Sequence, residues 1–366
     1  MGFNCGIVGL PNVGKSTLFN ALTATAAAEA ANYPFTTVDP NSGFVTVPDP
    51  RLDEVSSLAT SARTVPTRMA FVDIAGLVAG ASRGEGLGNQ FLGHIREVDA
   101  IAHVVRCFAD DDISHVANTI DPVRDMETIS TELMLSDLES LERRLDPLEK
   151  KARGGDKEAT NEVAIMRPAR DALADGRPAR AAAKDEAERQ RLARLGLLTA
   201  KPVLFVLNVE EEAAATGNDY SAAAAARAEA EGAMSLIVSA AIEAEVTQLA
   251  DDGERREFLG SLGLEESGLA RLIRAGYDLL GLITYFTASE KEARAWTVPA
   301  GSTAWDAAGV IHSDFQRGFI RAETIAYADL IACGSMKAAA DAGKMRAEGR
   351  DYGVSDGDII HFRFNV

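Results

Sequence analysis

Cysteine, long apolar runs and positive charge are all scarce in this sequence of 366 residues. No run approaches the ~18 consecutive apolar residues that a membrane helix needs, so no membrane span is expected. The three cysteines, Cys5, Cys107 and Cys333, are scattered singly, which excludes a disulfide framework and a zinc cluster. The N-terminal MGFNCGIVGL has neither a basic leader nor a small-residue cleavage site. No signal peptide is therefore expected, and the predicted location is cytoplasmic.

The shortage of positive charge is uneven along the chain. The formal net charge is −18, from 37 Lys and Arg against 55 Asp and Glu. Such a balance disfavours nucleic acid as a partner, because phosphates are met by clusters of Lys and Arg. Residues 139–200, however, hold 14 Lys and Arg against 12 Asp and Glu, and residues 285–366 hold 9 against 11. An RNA contact would lie on these two segments; a solvated helical face is the alternative.

Apolar runs and helical stretches alternate over residues 1–280. This alternation is typical of an α/β domain with a mostly parallel sheet. The runs read as strands are Cys5 to Leu10, Arg68 to Val72, Ala100 to Cys107, Pro202 to Leu207 and Ser235 to Val238.

Residues 130–200 have a different, helical period. Leucines recur at three and four residues from Leu135 to Leu148, Gly154 and Gly155 interrupt them, and Ala187 to Leu198 resume the stripe. The prediction is an inserted hairpin of two long helices, with Pro168 and Pro178 breaking the chain between them. Ordinary helices covering the sheet would give the same periodicity. Residues 281–366 change to short β-rich runs around one short helix, which predicts a separate small α+β domain.

The residues that carry chemistry begin with GLPNVGKS, Gly9 to Ser16, between the strand FNCGIV and the helical TLFNAL. This context identifies a P-loop, in which backbone amides and a helix N-terminus hold phosphates. Lys15 is expected to bridge the β- and γ-phosphates, and the Ser16 hydroxyl is expected to bind Mg²⁺. Two later segments fit nucleotide switches. NYPFTTVDP offers Thr36 or Thr37 as a magnesium ligand, and DIAG offers the Asp73 carboxylate and the Gly76 amide.

Two features depart from Ras-like GTPases. Leu77 stands where a glutamine would orient the attacking water, so another group must do so; His94 and His115 are the nearest histidines in sequence. In NVEE, Val209 and Glu211 replace the lysine and aspartate that select guanine. Asn208 is then expected to meet the purine N7 edge while a backbone carbonyl meets an adenine amino group. SAAIE, Ser239 to Glu243, resembles the loop that closes over the base.

The chain resembles the YchF, or Obg-like ATPase, family of translation-factor-related P-loop proteins nearly from end to end. The resemblance rests on the motifs above, on DIAGLVAGASRGEGLGNQFLGHIREVDAI and SAAIEAE, and on the C-terminal WTVPAGSTAWDAAGVIHSDFQRGFIRAET and DYGVSDGDIIHFRF, which resemble a TGS domain of β-grasp fold. It implies a P-loop G domain over residues 1–280 with a hairpin insertion, and a TGS domain over 281–366. It also implies slow, Mg²⁺-dependent hydrolysis of ATP in preference to GTP, by a monomer that associates with ribosomes in translation or stress response.

The resemblance also implies the site residues. It places nucleotide contacts on Asn12, Val13, Gly14, Lys15, Ser16 and Thr17, and an adenine contact on the Val209 main chain; the base loops described above add Asn208, Glu210, Ser239 and Ala240 as predicted contacts. It places metal ligands on Ser16 and Thr37, to which DIAG adds Asp73. It favours His115 as a catalytic residue because ISHV matches a position that the family keeps, and Lys15 and Gly76 are the other predicted catalytic residues. Asn12 also matches an asparagine that holds K⁺ in potassium-activated relatives. Glu210 departs from the family's Asn or Ser and adds a negative charge near the base. An Obg-type GTPase and an RNA or ribosome scaffold stabilised by nucleotide remain the rival functions.

Overall fold

The computed structural model describes residues 3–30, 42–74, 87–110, 113, 119–249 and 251–365. These residues form two compact units. The large unit comprises Phe3–Gly43 and Ala70–Leu272, and the small unit comprises Phe44–Met69 and Ile273–Val366. Within the described residues, no helix is long and apolar enough to cross a membrane.

The regular elements follow one another as strands and helices. The strands are β1 (Asn4–Val8), β2 (Ser42–Thr46), β3 (Thr64–Val65), β4 (Arg68–Asp73), β5 (Ala100–Arg106), β6 (Val203–Asn208), β7 (Met234–Val238), β8 (Leu282–Ala288), β9 (Ala293–Pro299), β10 (Phe319–Ile325), β11 (Arg346–Glu348) and β12 (Ile359–Phe364). The helices are α1 (Lys15–Ala30), α2 (Arg51–Leu58), α3 (Leu87–Glu97), α4 (Pro122–Arg153), α5 (Lys157–Ala174), α6 (Glu186–Ala193), α7 (Asp219–Ala230), α8 (Ala240–Val246), α9 (Asp252–Ser261), α10 (Gly268–Leu279), α11 (Ala304–Ile311), α12 (Ser313–Arg317), α13 (Tyr327–Cys333) and α14 (Met336–Asp341). In the described part of the chain, 3₁₀ turns lie at Ala179–Ala182, Leu198–Ala200 and Glu211–Ala213.

A parallel sheet forms the centre of the large unit. Five of its strands run in the order β4-β1-β5-β6-β7, and each neighbouring pair among these five is parallel. Every residue of β5 and of β6 is buried, which is why these strands appear as continuous apolar runs rather than alternating ones. The α/β prediction is confirmed. Because parallel strands end at the same edge, the carboxyl ends of β1, β4, β5, β6 and β7 lie along one edge of the sheet.

A helical hairpin is inserted between β5 and β6, as predicted, but its second arm is not the predicted one. Helices α4 and α5 are joined at Gly154–Gly155, and Gly155 has a φ of 91°. Pro168 lies inside α5 instead of ending it. Burial of Val163, Met166, Ala169 and Leu173 against Leu141 and Leu145 offsets the ~3 kcal/mol that an internal proline costs. Residues 187–198, predicted as a long arm, form only the short α6 and turns.

The two ends of the insertion are fastened together by a buried carboxylate. Asp137 on α4 accepts hydrogen bonds from the backbone N–H of Leu198 (2.9 Å) and from the backbone N–H and the hydroxyl of Thr199 (both 2.7 Å). Burial raises the pKa of Asp137, and these hydrogen bonds oppose the shift. The chain therefore leaves the insertion beside the point where it enters.

The small unit is built on a mixed sheet in the order β11-β10-β12-β8-β9-β3. Strands β8 and β9 pair antiparallel, whereas β12 pairs parallel with β8. Helix α11 packs through Ala304, Ala307 and Ala308 with Tyr285. Leu52 and Val55 of α2 pack in a second cluster with Phe286 and Ile359. Residues 44–69 therefore belong with the C-terminal strands, a grouping that no sequence motif indicates.

Candidate functional site

The P-loop connects β1 to α1 in a conformation that needs both of its glycines, Gly9 and Gly14. A Cβ on Gly9 would lie 2.6 Å from the Val104 carbonyl oxygen, so Gly9 lets the loop pass close to β5. Gly14 has a φ of 94°, and a Cβ there would lie 2.3 Å from Nδ2 of Asn208. Asn12 also adopts a positive φ, of 63°. The loop amides and the N-terminus of α1 thus form a curved anion-binding site.

Lys15 is the buried cation of this loop. Only 8% of its surface is exposed, and its Nζ donates a hydrogen bond to the Leu10 carbonyl oxygen over 3.1 Å. Burial lowers the pKa of Lys15, and the charge of Asp73 opposes this shift. The ammonium is therefore held on the loop's own backbone, where a phosphate can displace the carbonyl. Ser16 and Thr17 are exposed in the first turn of α1.

Asp73 ends β4 with an unsatisfied carboxylate. Its Oδ1 is buried and has no hydrogen-bond partner in the described part of the chain. Burial raises the pKa of Asp73, while the positive charge of Lys15 lowers it. A buried acceptor without a donor is an energetic cost that a cation would remove. The exposed hydroxyl of Ser16 and the free oxygen of Asp73 therefore fit Mg²⁺, which takes few protein ligands beside phosphates and water.

Asn208, at the end of β6, joins three loops. Its Nδ2 donates to the Val13 carbonyl oxygen over 2.9 Å, and its Oδ1 accepts from the Ala240 backbone N–H over 2.9 Å. The side chain is 5% exposed. This side chain therefore connects the P-loop to the loop after β7; its contact with the purine N7 edge stays a prediction.

Val209, Glu210 and Ser239 lie where the sequence predicts contacts with the base. The Val209 backbone N–H donates to the Val238 carbonyl oxygen over 2.9 Å, so only its carbonyl is left for a main-chain contact to a base. Both Glu210 oxygens accept from Nδ2 of Asn218 at 2.9 Å. The extra charge at Glu210 is thus fixed by the residue that caps α7. Ser239 is 2% exposed, and its Oγ is buried without a partner among the described residues.

The P-loop and the loops after β6 and β7 surround one cavity of ≈ 690 Å³, a size typical of ligand sites. Its lining brings together the predicted P-loop residues and base loops, and adds the segment after β5. The lining residues are Asn12, Gly14, Lys15, Ser16, Thr17, Phe108, Ala109, Asp110, Ile113, Asn208, Val209, Glu210, Glu211, Glu212, Ala240 and Ala241.

Arg106, which belongs to no sequence motif, holds three residues that follow β5: Phe108, Asp110 and Ile113. Its guanidinium donates to the carbonyl oxygens of Phe108 (3.2 Å), Asp110 (3.1 Å) and Ile113 (3.0 Å). It also lies 4.6 Å from the centre of the Phe108 ring, within cation–π range, and is 1% exposed. The only signal in the sequence was a charged residue at the end of the apolar run AIAHVVR.

Other predicted site residues fall outside this geometry. Thr36 and Thr37 lie in residues 31–41, Gly76 and Leu77 in 75–86, and His115 in 114–118, all outside the described residues. His94 is described, and its side chain is exposed on α3.

Comparison with known families gives two domain matches. Residues 4–137 match a family described as a 50S ribosome-binding GTPase. Residues 282–365 match the YchF-GTPase_C family, which is described as a protein of unknown function.

Individual relatives match the whole chain. The ribosome-binding ATPase YchF of Haemophilus influenzae is 57% identical over 366 residues, covering 100% of both chains. The protein of the same name from Bacillus subtilis is 53% identical over 368 residues, again covering 100% of both. Among solved structures, the YchF GTPase of Schizosaccharomyces pombe has a TM-score of 0.89 at 38% identity, covering 99% of this chain and 98% of that one.

Proposed function

This chain belongs to the YchF family, and on that premise we propose that it is a ribosome-associated ATPase of the cytoplasm. It binds ATP with Mg²⁺ in the cavity above Lys15 and hydrolyses it slowly, as a nucleotide-dependent switch in translation or stress response. The observation that carries the proposal is that the P-loop and the loops after β6 and β7 line one cavity. Asp73 ends the strand beside β1, and its charge and that of Lys15 shift each other's pKa.

The phosphates occupy the P-loop end of the cavity. The amides of Asn12 to Thr17 and the N-terminus of α1 bind the phosphate oxygens, and Lys15 leaves the Leu10 carbonyl to bridge the β- and γ-phosphates. Ser16 and Asp73 hold Mg²⁺ together with Thr37. The metal supplies charge neutralisation at the phosphates. Gly76 contributes a backbone amide to the γ-phosphate. Potassium beside Asn12 stays a prediction from the family resemblance.

The base end supports adenine. The Val209 carbonyl can accept from the 6-amino group of adenine, whereas guanine presents an oxygen there and two acceptors would repel. One observation favours guanine: the Glu211 side chain lines the cavity at the position where GTPases carry their guanine-binding aspartate. The Obg-type GTPase is therefore the second candidate.

Competition between the two nucleotides for a fluorescent ATP analogue decides between these candidates. ATP is expected to displace the analogue at a lower concentration than GTP, and a clear GTP preference would overturn the ATPase proposal. The matched variant is Glu211→Ala. It is expected to leave ATP affinity unchanged and to weaken any residual GTP binding, because only guanine offers donors to that carboxylate.

For hydrolysis, the group proposed to orient the water is His115. Replacement by alanine is expected to slow single-turnover hydrolysis without weakening ATP binding. His94→Ala, at an exposed position on α3, is the control and should hydrolyse ATP at the wild-type rate. Equal rates for His115→Ala and the wild type would remove His115 from the mechanism.

The helical hairpin and the small unit are proposed to contact the ribosome. Co-sedimentation with ribosomes is measured with ATP, with ADP and without nucleotide. A switch requires that the bound fraction change with the nucleotide. Equal binding in all three conditions would instead support a scaffold whose nucleotide site only stabilises the fold.

A further inference from the structure

A second large cavity lies on the insertion, between α5 and residues 182–195. Its volume is ≈ 770 Å³, and we name it the hairpin groove. Four cationic side chains line it: Arg144, Lys184, Arg191 and Arg194. Two carboxylates, Glu162 and Glu188, line it as well, so the groove carries a net positive charge in a chain of net charge −18.

Three of these cations face solvent without compensation. Lys184, Arg191 and Arg194 are exposed, and no hydrogen bond or ion pair of their charged groups is found among the described residues. Elsewhere on the insertion, arginines of α5 are paired: Arg167 lies 2.7 Å from Glu149, and Arg170 lies 2.6 Å from Asp171. The groove therefore carries positive charge that has no ion-pair partner among the described residues, whereas these arginines of α5 are paired.

The floor of the groove is apolar and firmly held. Ile165, Leu192 and Leu195 line it, and all three pack into or against the core of the insertion. The Arg144 guanidinium donates to the Leu195 carbonyl oxygen over 2.9 Å, which fixes the wall below Arg194. Cations at the rim and an apolar floor match the two parts of an unpaired nucleotide: phosphate oxygens bind the cations while a base covers the apolar surface. An acidic peptide would use only the rim.

We propose that the hairpin groove binds single-stranded RNA, with Lys184, Arg191 and Arg194 on the phosphates and bases against Ile165 and Leu195. The proposal rests on the ribosome association proposed above and specifies the chemistry of one contact. It places RNA between α5 and residues 182–195, in the segment that is nearly neutral within an acidic chain.

The test compares the full chain with the triple variant Lys184→Gln, Arg191→Gln, Arg194→Gln. Binding of a fluorescent single-stranded RNA of mixed sequence is measured by anisotropy over a range of salt concentrations. The triple variant is expected to lose about tenfold or more in affinity, and the slope of log K against log salt should fall by about 2, as three lost phosphate contacts require. Arg189→Gln removes a charge from the same helix outside the groove lining and should bind RNA like the wild type.

Two further measurements separate this proposal from the ribosome-binding ATPase itself. ATP turnover without ribosomes should be unchanged in the triple variant, which also shows that it is folded, and its co-sedimentation with ribosomes should fall. Wild-type RNA affinity in the triple variant would overturn the groove proposal, whether or not ribosome binding is reduced. Loss of ribosome binding alone would then identify an acidic protein segment as the occupant. Failure of the wild type to hydrolyse ATP or to sediment with ribosomes would instead refute the proposed function.

Discussion

The side-chain amide of Asn208 donates a hydrogen bond to the Val13 carbonyl oxygen over 2.9 Å, although the two residues are 195 positions apart. The same amide accepts from the Ala240 N–H. The end of the cavity proposed to bind the base and the end proposed to bind phosphates are thus held by a single buried side chain. A change at Asn208 should therefore affect nucleotide binding as a whole.

Asn208→Ala is expected to weaken ATP binding by about tenfold, because the P-loop loses the donor that positions Val13. The variant also leaves a buried carbonyl and a buried N–H unsatisfied, which should lower the free energy of unfolding by about 1–3 kcal/mol. Titration with a fluorescent nucleotide and urea unfolding measure the two effects. Asn161→Ala, at an exposed position on α5, is the control. Unchanged ATP affinity in Asn208→Ala would show that the P-loop holds its shape alone.

Gly14→Ala is expected to abolish ATP binding, and Gly155→Ala is its matched control. The two glycines have nearly the same φ, 94° and 91°, so both substitutions carry backbone strain of about 1–2 kcal/mol. Only at Gly14 would the new Cβ meet another atom, Nδ2 of Asn208 at 2.3 Å; at Gly155 nothing lies within 4 Å. Isothermal titration with ATP should give wild-type affinity for Gly155→Ala. Equal losses in both variants would attribute the effect to strain rather than to the contact.

Arg106→Lys should raise the KM for ATP by about tenfold and leave kcat within about threefold of the wild type. Lysine keeps the charge but cannot donate to three carbonyl oxygens in the fixed geometry of a guanidinium, so the cavity wall formed by Phe108, Asp110 and Ile113 loses its support. Steady-state kinetics measure both constants. Arg143→Lys, at an exposed position on α4, controls for the change of residue type. A loss confined to kcat would contradict a positioning role.

His103 should make the stability of the large unit depend on pH. Burial, with the charge of Lys15 adding to it, lowers the pKa of His103 from 6.5 to about 3. Between these values the unfolded chain binds a proton that the folded chain does not. The free energy of unfolding therefore decreases as pH falls below 6.5, by up to about 1.4 kcal/mol per pH unit.

Urea unfolding of the wild type and of His103→Gln, measured between about pH 5 and pH 7, tests this dependence. The variant should lose stability less steeply than the wild type as the pH falls. His94→Gln, in which an exposed histidine is changed, should keep the wild-type slope. Parallel curves for His103→Gln and the wild type would mean that His103 is accessible to protons in the folded protein.

Much of the large unit could be predicted from sequence because its signals are local. Strands β5 and β6 are buried along their whole length and therefore appear as apolar runs. GLPNVGKS lies between a strand and a helix, as a P-loop must. The sequence misplaces the second arm of the hairpin because a proline such as Pro168 locally favours a helix end, and packing against α4 outweighs that preference.

Features that depend on distant partners could not be predicted. Helix α2 joins the small unit through Leu52 and Val55, whose packing partners lie more than 200 residues later in the chain. Nothing in NVEE indicates that the Asn208 side chain also bonds to Val13 and Ala240. Arg106 belongs to no motif, and its three acceptors become apparent only when the segment after β5 is folded.

The carboxylate of Asp137, bound to Leu198 and Thr199, makes the outer part of the insertion a closed loop with a single stem. Asp137 and Leu198 are 61 positions apart in the sequence and share a hydrogen bond. The length of the chain between them can therefore change while the parallel sheet keeps its register. Such a stem gives the insertion the character of an exchangeable module. Over evolutionary time, arms of different length or surface charge could be grafted onto an unchanged catalytic core, which would let partner choice diverge independently of nucleotide chemistry.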